Sequence, residues 1–311
     1  MSKVLAVLAS DLHLCHRAPL ARSVEIDWYQ VMHRYLEQTR VLCAHNAAPL
    51  VIAGDIFDRW DMKREGMPEL INFAIELFSQ FIYGVFAIPG QHDLPNHRLD
   101  EVHRSAFWTL VRSGKVQMLR PNHETRIGNL ALHGIPWNCP IPPMHEEPKA
   151  GIVHLAVIHA YIWREGSSYP GADEECHVKH YREKLKGYTA SVWGDNHKGF
   201  MVGQHLINCG TFIRRKSDEV DYRPMVGLLY DDGHIEPYYL DTSLDRFLEE
   251  PLDAQPGEEL TADVSSFLDQ LKKLQADPLN FVEVTNRVLD QRKLPVESNV
   301  RRIVLECMES Q

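Results

Sequence analysis

No apolar stretch in this 311-residue chain approaches the roughly 20 residues that a helix needs to cross a bilayer, so no membrane span is expected. The opening Met1-Ser2-Lys3 runs straight into strand-like residues, without the separate apolar core and small-residue cleavage site of a secretory signal. The expected location is the cytoplasm. Cysteine is sparse: Cys15, Cys43, Cys139, Cys176, Cys209 and Cys307 are scattered without close pairs. That spacing argues against a thiolate zinc knuckle and against a disulfide framework, and leaves reduced, mostly buried thiols. An excess of basic charge is missing too, since 33 Lys and Arg face 43 Asp and Glu, a net charge of −10. Such a balance argues against a protein that coats nucleic acid nonspecifically, because phosphate attraction supplies most of that binding. It leaves open an enzyme acting on phosphodiesters, whose metal-holding carboxylates add negative charge that bound cations reverse locally. Internal repeats and low-complexity tracts are also absent.

What is present is a series of short His and carboxylate clusters. They are Asp11-Leu12-His13, Gly54-Asp55-Ile56-Phe57-Asp58, Gly90-Gln91-His92-Asp93, the isolated His159, and Gly194-Asp195-Asn196-His197. Four follow apolar, β-branched runs (Val4 to Ala9, Leu50 to Ala53, Val85 to Ile88, Ile152 to Ile158), and the fifth follows the weaker run Ala190 to Trp193. Continuous apolar runs of this length read as buried parallel strands, whose carboxyl ends gather sites in α/β folds. Histidine and carboxylate together ligate zinc, manganese and iron, so five strand ends converging on one crevice read as a two-metal site. One Asp-x-His means little, and a lone His159 after a strand is more often a core histidine. The set as a whole resists that bland reading.

Between the runs the chain reads as α/β. Ser23 looks like the cap of a helix reaching about His45, with Trp28, Val31, Met32, Tyr35, Leu36 and Leu42 on one face. Further helices are expected over about Pro68 to Phe81 and Asp100 to Val111, with short strands at Val116 to Leu119 and Asn129 to Gly134. Pro136 to Pro148 reads as a proline-rich loop near the cleft. Asp231-Asp232-Gly233 between Met225–Tyr230 and Ile235–Leu240 predicts a hairpin. Composition shifts near Glu249-Glu250-Pro251, which places a boundary near residue 245. Helical stripes behind Thr261 (Val264, Phe267, Leu268, Leu271, Leu274) and Ser298 (Val300, Ile303, Val304, Cys307) follow.

Over roughly residues 4 to 215 the motif series resembles the calcineurin-like metallophosphoesterase superfamily. His92 and Leu132-His133-Gly134-Ile135-Pro136-Trp137 further resemble the SbcD-like DNA repair exonucleases of bacteria and phages. The resemblance implies a sandwich of two mixed β-sheets flanked by helices over residues 1–245, followed by a small helical segment over 246–311 that shapes the substrate groove or docks a partner. It implies that Asp11, His13 and His197 hold one divalent ion, that Asp55 bridges both, and that Gln91, His159 and Asp195 complete the second. A single carboxylate can bridge ions roughly 3.5–4 Å apart, the spacing of two-metal phosphoryl chemistry. His92 is implied as the acid near the leaving oxygen, a role suited to a side chain that titrates near neutrality, and Asp93 as the group that orients its ring. The glycines before Asp55, Gln91 and Asp195 permit sharp turns and close backbone approach.

Two positions depart from the family pattern, Gln91 in place of Asn and Asp195 in place of His. The more anionic second site should favour manganese or magnesium over zinc, with iron(II) a further candidate. A second site too weak to keep its ion is the other outcome of the same exchange. Arg59 is a candidate phosphate contact or an ordinary ion pair. Arg214 and Arg215, in the basic run ending at Lys216, are either solvated or contacts to a nucleic-acid backbone. The leading expectation is a manganese-dependent nuclease subunit acting on DNA ends with an SbcC-like ATPase, and related nucleases are dimers. A stand-alone phosphoesterase for a nucleotide or a lipid-precursor pyrophosphate is the second. The motifs around Asp11 and Asp55 also resemble the lipid A pathway pyrophosphatase, although that enzyme has arginine where His92 stands. A catalytically weak scaffold is the third.

Overall fold

The computed structural model describes residues 2–61, 65–144 and 151–248. The helical stripes expected beyond residue 248 lie outside the described residues, as does the end of the proline-rich loop. Among the described residues twelve strands form two six-stranded mixed sheets, the sandwich flanked by helices that the resemblance implied. The first sheet runs in the order β12-β11-β1-β2-β3-β4. Here β1 is Val4–Ala9, β2 Leu50–Ala53, β3 Val85–Ile88, β4 Gln117–Met118, β11 Met225–Tyr230 and β12 Ile235–Tyr239. Strands β1 to β4 are parallel, and the β11–β12 hairpin joins β1 antiparallel. The second sheet runs β5-β6-β7-β8-β10-β9, with β5 Glu124–Ile127, β6 Leu130–Ile135, β7 Val153–His159, β8 Ala190–Gly194, β9 Phe200–Val202 and β10 Leu206–Asn208.

Each central strand is apolar on both faces because both faces are covered. In β1, Ala6 and Leu8 enter the core between the sheets, while Val7 and Ala9 face the helical side. In β2, Val51 and Ala53 point inward, and Leu50 and Ile52 point to the helices. Enclosing a leucine or isoleucine in this way contributes about 1.5–3 kcal/mol. A smaller cluster of Ile135, Ala156, Ile158, Ile162, Trp193, Phe200 and Leu206 covers the far side of the second sheet.

Helix α1 spans Trp28–Asn46 and buries Trp28, Val31, Met32, Tyr35 and Leu36 against the first sheet. Its cap is Asp27 rather than Ser23: the Asp27 carboxylate accepts from Tyr29 N at 2.9 Å and Gln30 N at 3.2 Å. Helix α2 is Met67–Phe78. The helix expected from Asp100 begins instead as a 3-10 turn over Leu99–Arg104, and α3 proper, Ala106–Arg112, starts behind Ser105, whose Oγ accepts from Trp108 N.

The described unit ends with a buried ion network. Asp245, its carboxylate fully enclosed, pairs with Arg22 at 2.9 Å, Arg34 at 2.5 Å and Arg214 at 2.8 Å, and accepts from the Tyr35 hydroxyl. This network fastens residues 241–248 to α1 and to the turn over Leu20–Arg22, where Leu248 N donates to the Ala21 carbonyl.

Candidate metal centre

The loops leaving β1 and β2 continue alongside each other after their strands end. Asp11 N donates to Gly54 O, His13 N to Asp55 O and Leu14 N to Ile56 O, at 2.8–3.1 Å. This pairing forces the carboxylates of Asp11 and Asp55 and the ring of His13 into one pocket. The backbone is left-handed at Asp11, His13, Asp55 and Asp195, with φ between 45° and 89°. Such conformations cost about 1–3 kcal/mol each outside glycine and persist where the surroundings over-determine them. Gly90 is needed for space rather than for its φ, since a Cβ there would lie 2.2 Å from Asp55 Oδ1. Gly54 needs both, with φ +89° and a Cβ that would meet the His159 ring at 2.2 Å.

The structure brings the seven expected ligand side chains together. His13 Nε2 lies 3.1 Å from His197 Nε2, and both lie 4.0 Å from Asp11 Oδ1. Asp55 Oδ2 lies 3.8 Å from His13 Nε2 and 3.3 Å from His159 Nε2, so this carboxylate sits between the two halves. Gln91 fills the gap in the second half: its Oε1 is 2.6 Å from His159 Nε2, and its Nε2 donates to Asp195 Oδ1 at 2.6 Å. Asp11–His13–His197 and Asp11–Asp55–His159 each offer ligand atoms within 4.8 Å of one another.

The residues fit a pair of cations. Asp11 Oδ2 and Asp55 Oδ2 are buried with no hydrogen-bond partner, and unpaired buried carboxylate oxygens are costly unless a cation compensates them. The titration of the metal-free pocket reflects the same crowding. Burial and the Asp55 charge push Asp11 up to about 7 against the opposing pull of His159. Burial would raise Asp55, but His159, His13 and His92 hold it well below the usual carboxylate range. Burial disfavours charge on His159, yet Asp55, Asp11 and Asp195 raise it to about 10. On the other side, burial and the charges of Lys216 and Arg215 lower His197 to about 4, and burial lowers His13 as well. Neutral His13 and His197 present lone pairs to an ion at neutral pH; the His159 proton must leave before that ring can ligate.

His92 N donates to Asp55 Oδ1 at 2.9 Å, and its Nδ1 is 2.9 Å from the Asp58 carbonyl oxygen. A carbonyl only accepts, so Nδ1 carries the hydrogen and Nε2 is left to exchange protons. The expected orienting role of Asp93 is corrected by this geometry. The Asp93 carboxylate accepts from the backbone N–H groups of Ile56, Phe57 and Gly90 at 3.0–3.1 Å. It staples the β2 loop to the β3 loop, and the Asp58 carbonyl orients the His92 ring instead.

The three arginines part ways. Arg214 is buried, with Nε on Asp245, Nη2 on the Thr242 carbonyl and Nη1 on the Val220 carbonyl, so the expectation that it touches substrate is corrected. Arg215 stays at the pocket, donating to Asp58 Oδ1 at 2.6 Å and to the His13 carbonyl at 3.3 Å. Arg59 is exposed and lines a cavity of about 470 Å³ together with Leu14, Arg17, Asp58, Arg215 and Lys216. Asn196, named in the fifth cluster without a role of its own, is buried. Its Nδ2 donates to the carbonyls of Ile162 and Ser167, which fixes the loop between Asp195 and His197.

No protein-family model matches the chain, and no curated protein matches it. Solved structures do. A dimetal phosphatase from Danio rerio is 11% identical over 78% of this chain and 100% of its own, with a TM-score of 0.46. The protein TT1561 of Thermus thermophilus is 11% identical over 78% and 100%, with a TM-score of 0.44. Nuclease MPE of Pseudomonas putida is 14% identical over 75% and 87%, with a TM-score of 0.32. Identities this low transfer no residue assignment, so the functional reading rests on the pocket itself.

Proposed function

We propose that this chain is a two-metal phosphodiester hydrolase of the metallophosphoesterase kind, and that its substrate is DNA. The observation that carries the reading is the convergence of Asp11, His13, Asp55, Gln91, His159, Asp195 and His197 on one pocket with two buried carboxylate oxygens that accept no hydrogen bond. Asp11, His13 and His197 would hold one ion, Gln91, His159 and Asp195 the other, with Asp55 shared. When bound, two such ions polarise the phosphoryl oxygens and activate water for attack. The chain's own residues do the rest. His92 Nε2 is the group free to protonate the departing oxygen, and the Asp58 carbonyl fixes its tautomer. Arg215, held by Asp58, and exposed Arg59 add positive charge beside the pocket. The oxygen-rich second half, with Gln91 and Asp195, favours manganese over zinc. The finer assignment is the nuclease subunit of an SbcCD-like end-processing complex with an ATPase partner, as a dimer, and it rests on the sequence resemblance alone.

The cavity lined by Arg17, Arg59 and Lys216 favours a second reading, a phosphoesterase for a small nucleotide or pyrophosphate. One experiment separates them. The metal-stripped full chain is given manganese or zinc and offered linear duplex DNA, a mononucleotide and a sugar-lipid pyrophosphate analogue. Manganese-dependent shortening of DNA supports the nuclease; turnover of a small ester with intact DNA supports the second reading and refutes the first.

A further inference from the structure

Outside the pocket, a second convergence of ligating side chains stands on the far face of the second sheet. Strand alternation puts Leu132 and Leu155 into the core between the sheets and turns their neighbours His133 and His154 the other way, on the side of Ala156 and Ile158. His154 lies five residues before His159 on β7, about 16 Å along the strand, so the two clusters are separate. Glu124 of β5 is the direct cross-strand partner of His133. Parallel pairing of β6 with β7 sets His154 opposite Ala131, diagonal to His133. The result is three ligating atoms on three adjacent strands. His133 Nε2 is 3.0 Å from His154 Nδ1, and Glu124 Oε2 is 3.9 Å from the first and 4.0 Å from the second.

From these distances we infer that Glu124, His133 and His154 form a mononuclear zinc site on the outer face of the second sheet, independent of the phosphodiesterase reading. Ligands about 2.0–2.1 Å from a tetrahedral zinc stand about 3.4 Å from one another, and the observed spacings bracket that value. The carboxylate is the exposed member, on a side chain with room to turn toward the two rings. Two imidazoles and one carboxylate are a donor set that zinc takes with water in the fourth position. An imidazole pair alone needs one ring to donate and the other to accept, whereas an ion between them would take a lone pair from His133 Nε2 and another from His154 Nδ1. Tyr188 stands edge-on to the His133 ring at 5.3 Å and shields one side. The ion would tie the edge strand β5 to β6 and β7.

The test counts zinc on the full chain. The protein is stripped with a chelator, loaded with zinc, freed of excess by gel filtration and weighed by native mass spectrometry. The Glu124→Gln/His133→Gln double variant is expected to carry one zinc fewer than the unaltered chain. The single Glu124→Gln, at an exposed position that folding tolerates, should bind that one equivalent at least tenfold more weakly. An unaltered zinc count in the double variant, or unaltered affinity in Glu124→Gln, would overturn the site.

Discussion

At the scale of single residues, the pocket depends on a few side chains whose roles come from what they touch. His92 is the sharpest case. Its backbone holds Asp55 and its ring is fixed by the Asp58 carbonyl, which leaves Nε2 for the leaving group. His92→Ala is expected to lose about a hundredfold or more in turnover on a DNA phosphodiester, a typical contribution of a positioned general acid, and to keep its metal. A nitrophenyl ester, whose leaving group needs no proton, should escape most of that loss; equal losses on both substrates would make His92 structural. The candidate ligands were legible in the sequence because each lies at the end of a strand or within four residues after it. Asp93 was misread because sequence adjacency to His92 hides that its carboxylate turns back to three backbone donors. The Glu124–His133–His154 cluster was invisible for a related reason, since only the register of three strands brings those residues together.

At the scale of elements, the apolar runs marked the central strands almost to the residue, because strands covered on both faces carry an unbroken signal. Strand β5 was missed. Its Glu-Thr-Arg-Ile sequence alternates at a sheet edge with alternate side chains exposed, and edge strands carry little apolar signal. The basic run at Arg214 misled for another reason: the residue that buries it, Asp245, lies far along the chain beyond the β11–β12 hairpin. A composition-based boundary near 245 also falls inside the Asp245 network rather than after it. That network predicts a large effect from one side chain. Asp245→Ala leaves Arg22, Arg34 and Arg214 without their shared carboxylate, and breaking a buried ion pair from one side typically costs about 3–5 kcal/mol. Urea denaturation should show a loss of that order at unchanged slope. A loss below about 1 kcal/mol would mean that the three arginines find other partners.

At the scale of the whole molecule, pocket and fold are linked through protons. In the metal-free chain His159 is raised from 6.5 to about 10 and Asp11 from 3.8 to about 7. Both bind protons in the folded state that the unfolded chain has already released, so stability must fall as pH rises through these windows. The Asp11 contribution fades between about pH 4 and 7, and that of His159 between about pH 6.5 and 10. Melting of the metal-free protein should therefore drop steadily from about pH 7 to 9.5. Saturating manganese should remove most of the drop, because the ions take over the compensation of Asp55 and Asp11 that the proton supplied. A metal-free protein that becomes more stable over this range would show that His159 is neutral and the pocket differently charged.

The most direct measurement of the two-metal reading is hydrolysis of bis(p-nitrophenyl) phosphate by the stripped full chain as manganese is added. No turnover is expected without metal, activity should rise as the ions bind, and Asp55→Asn, which weakens the shared ligand of both halves, should abolish it at every manganese concentration. Turnover that persists without metal, or that Asp55→Asn leaves intact, would contradict a centre built on that carboxylate.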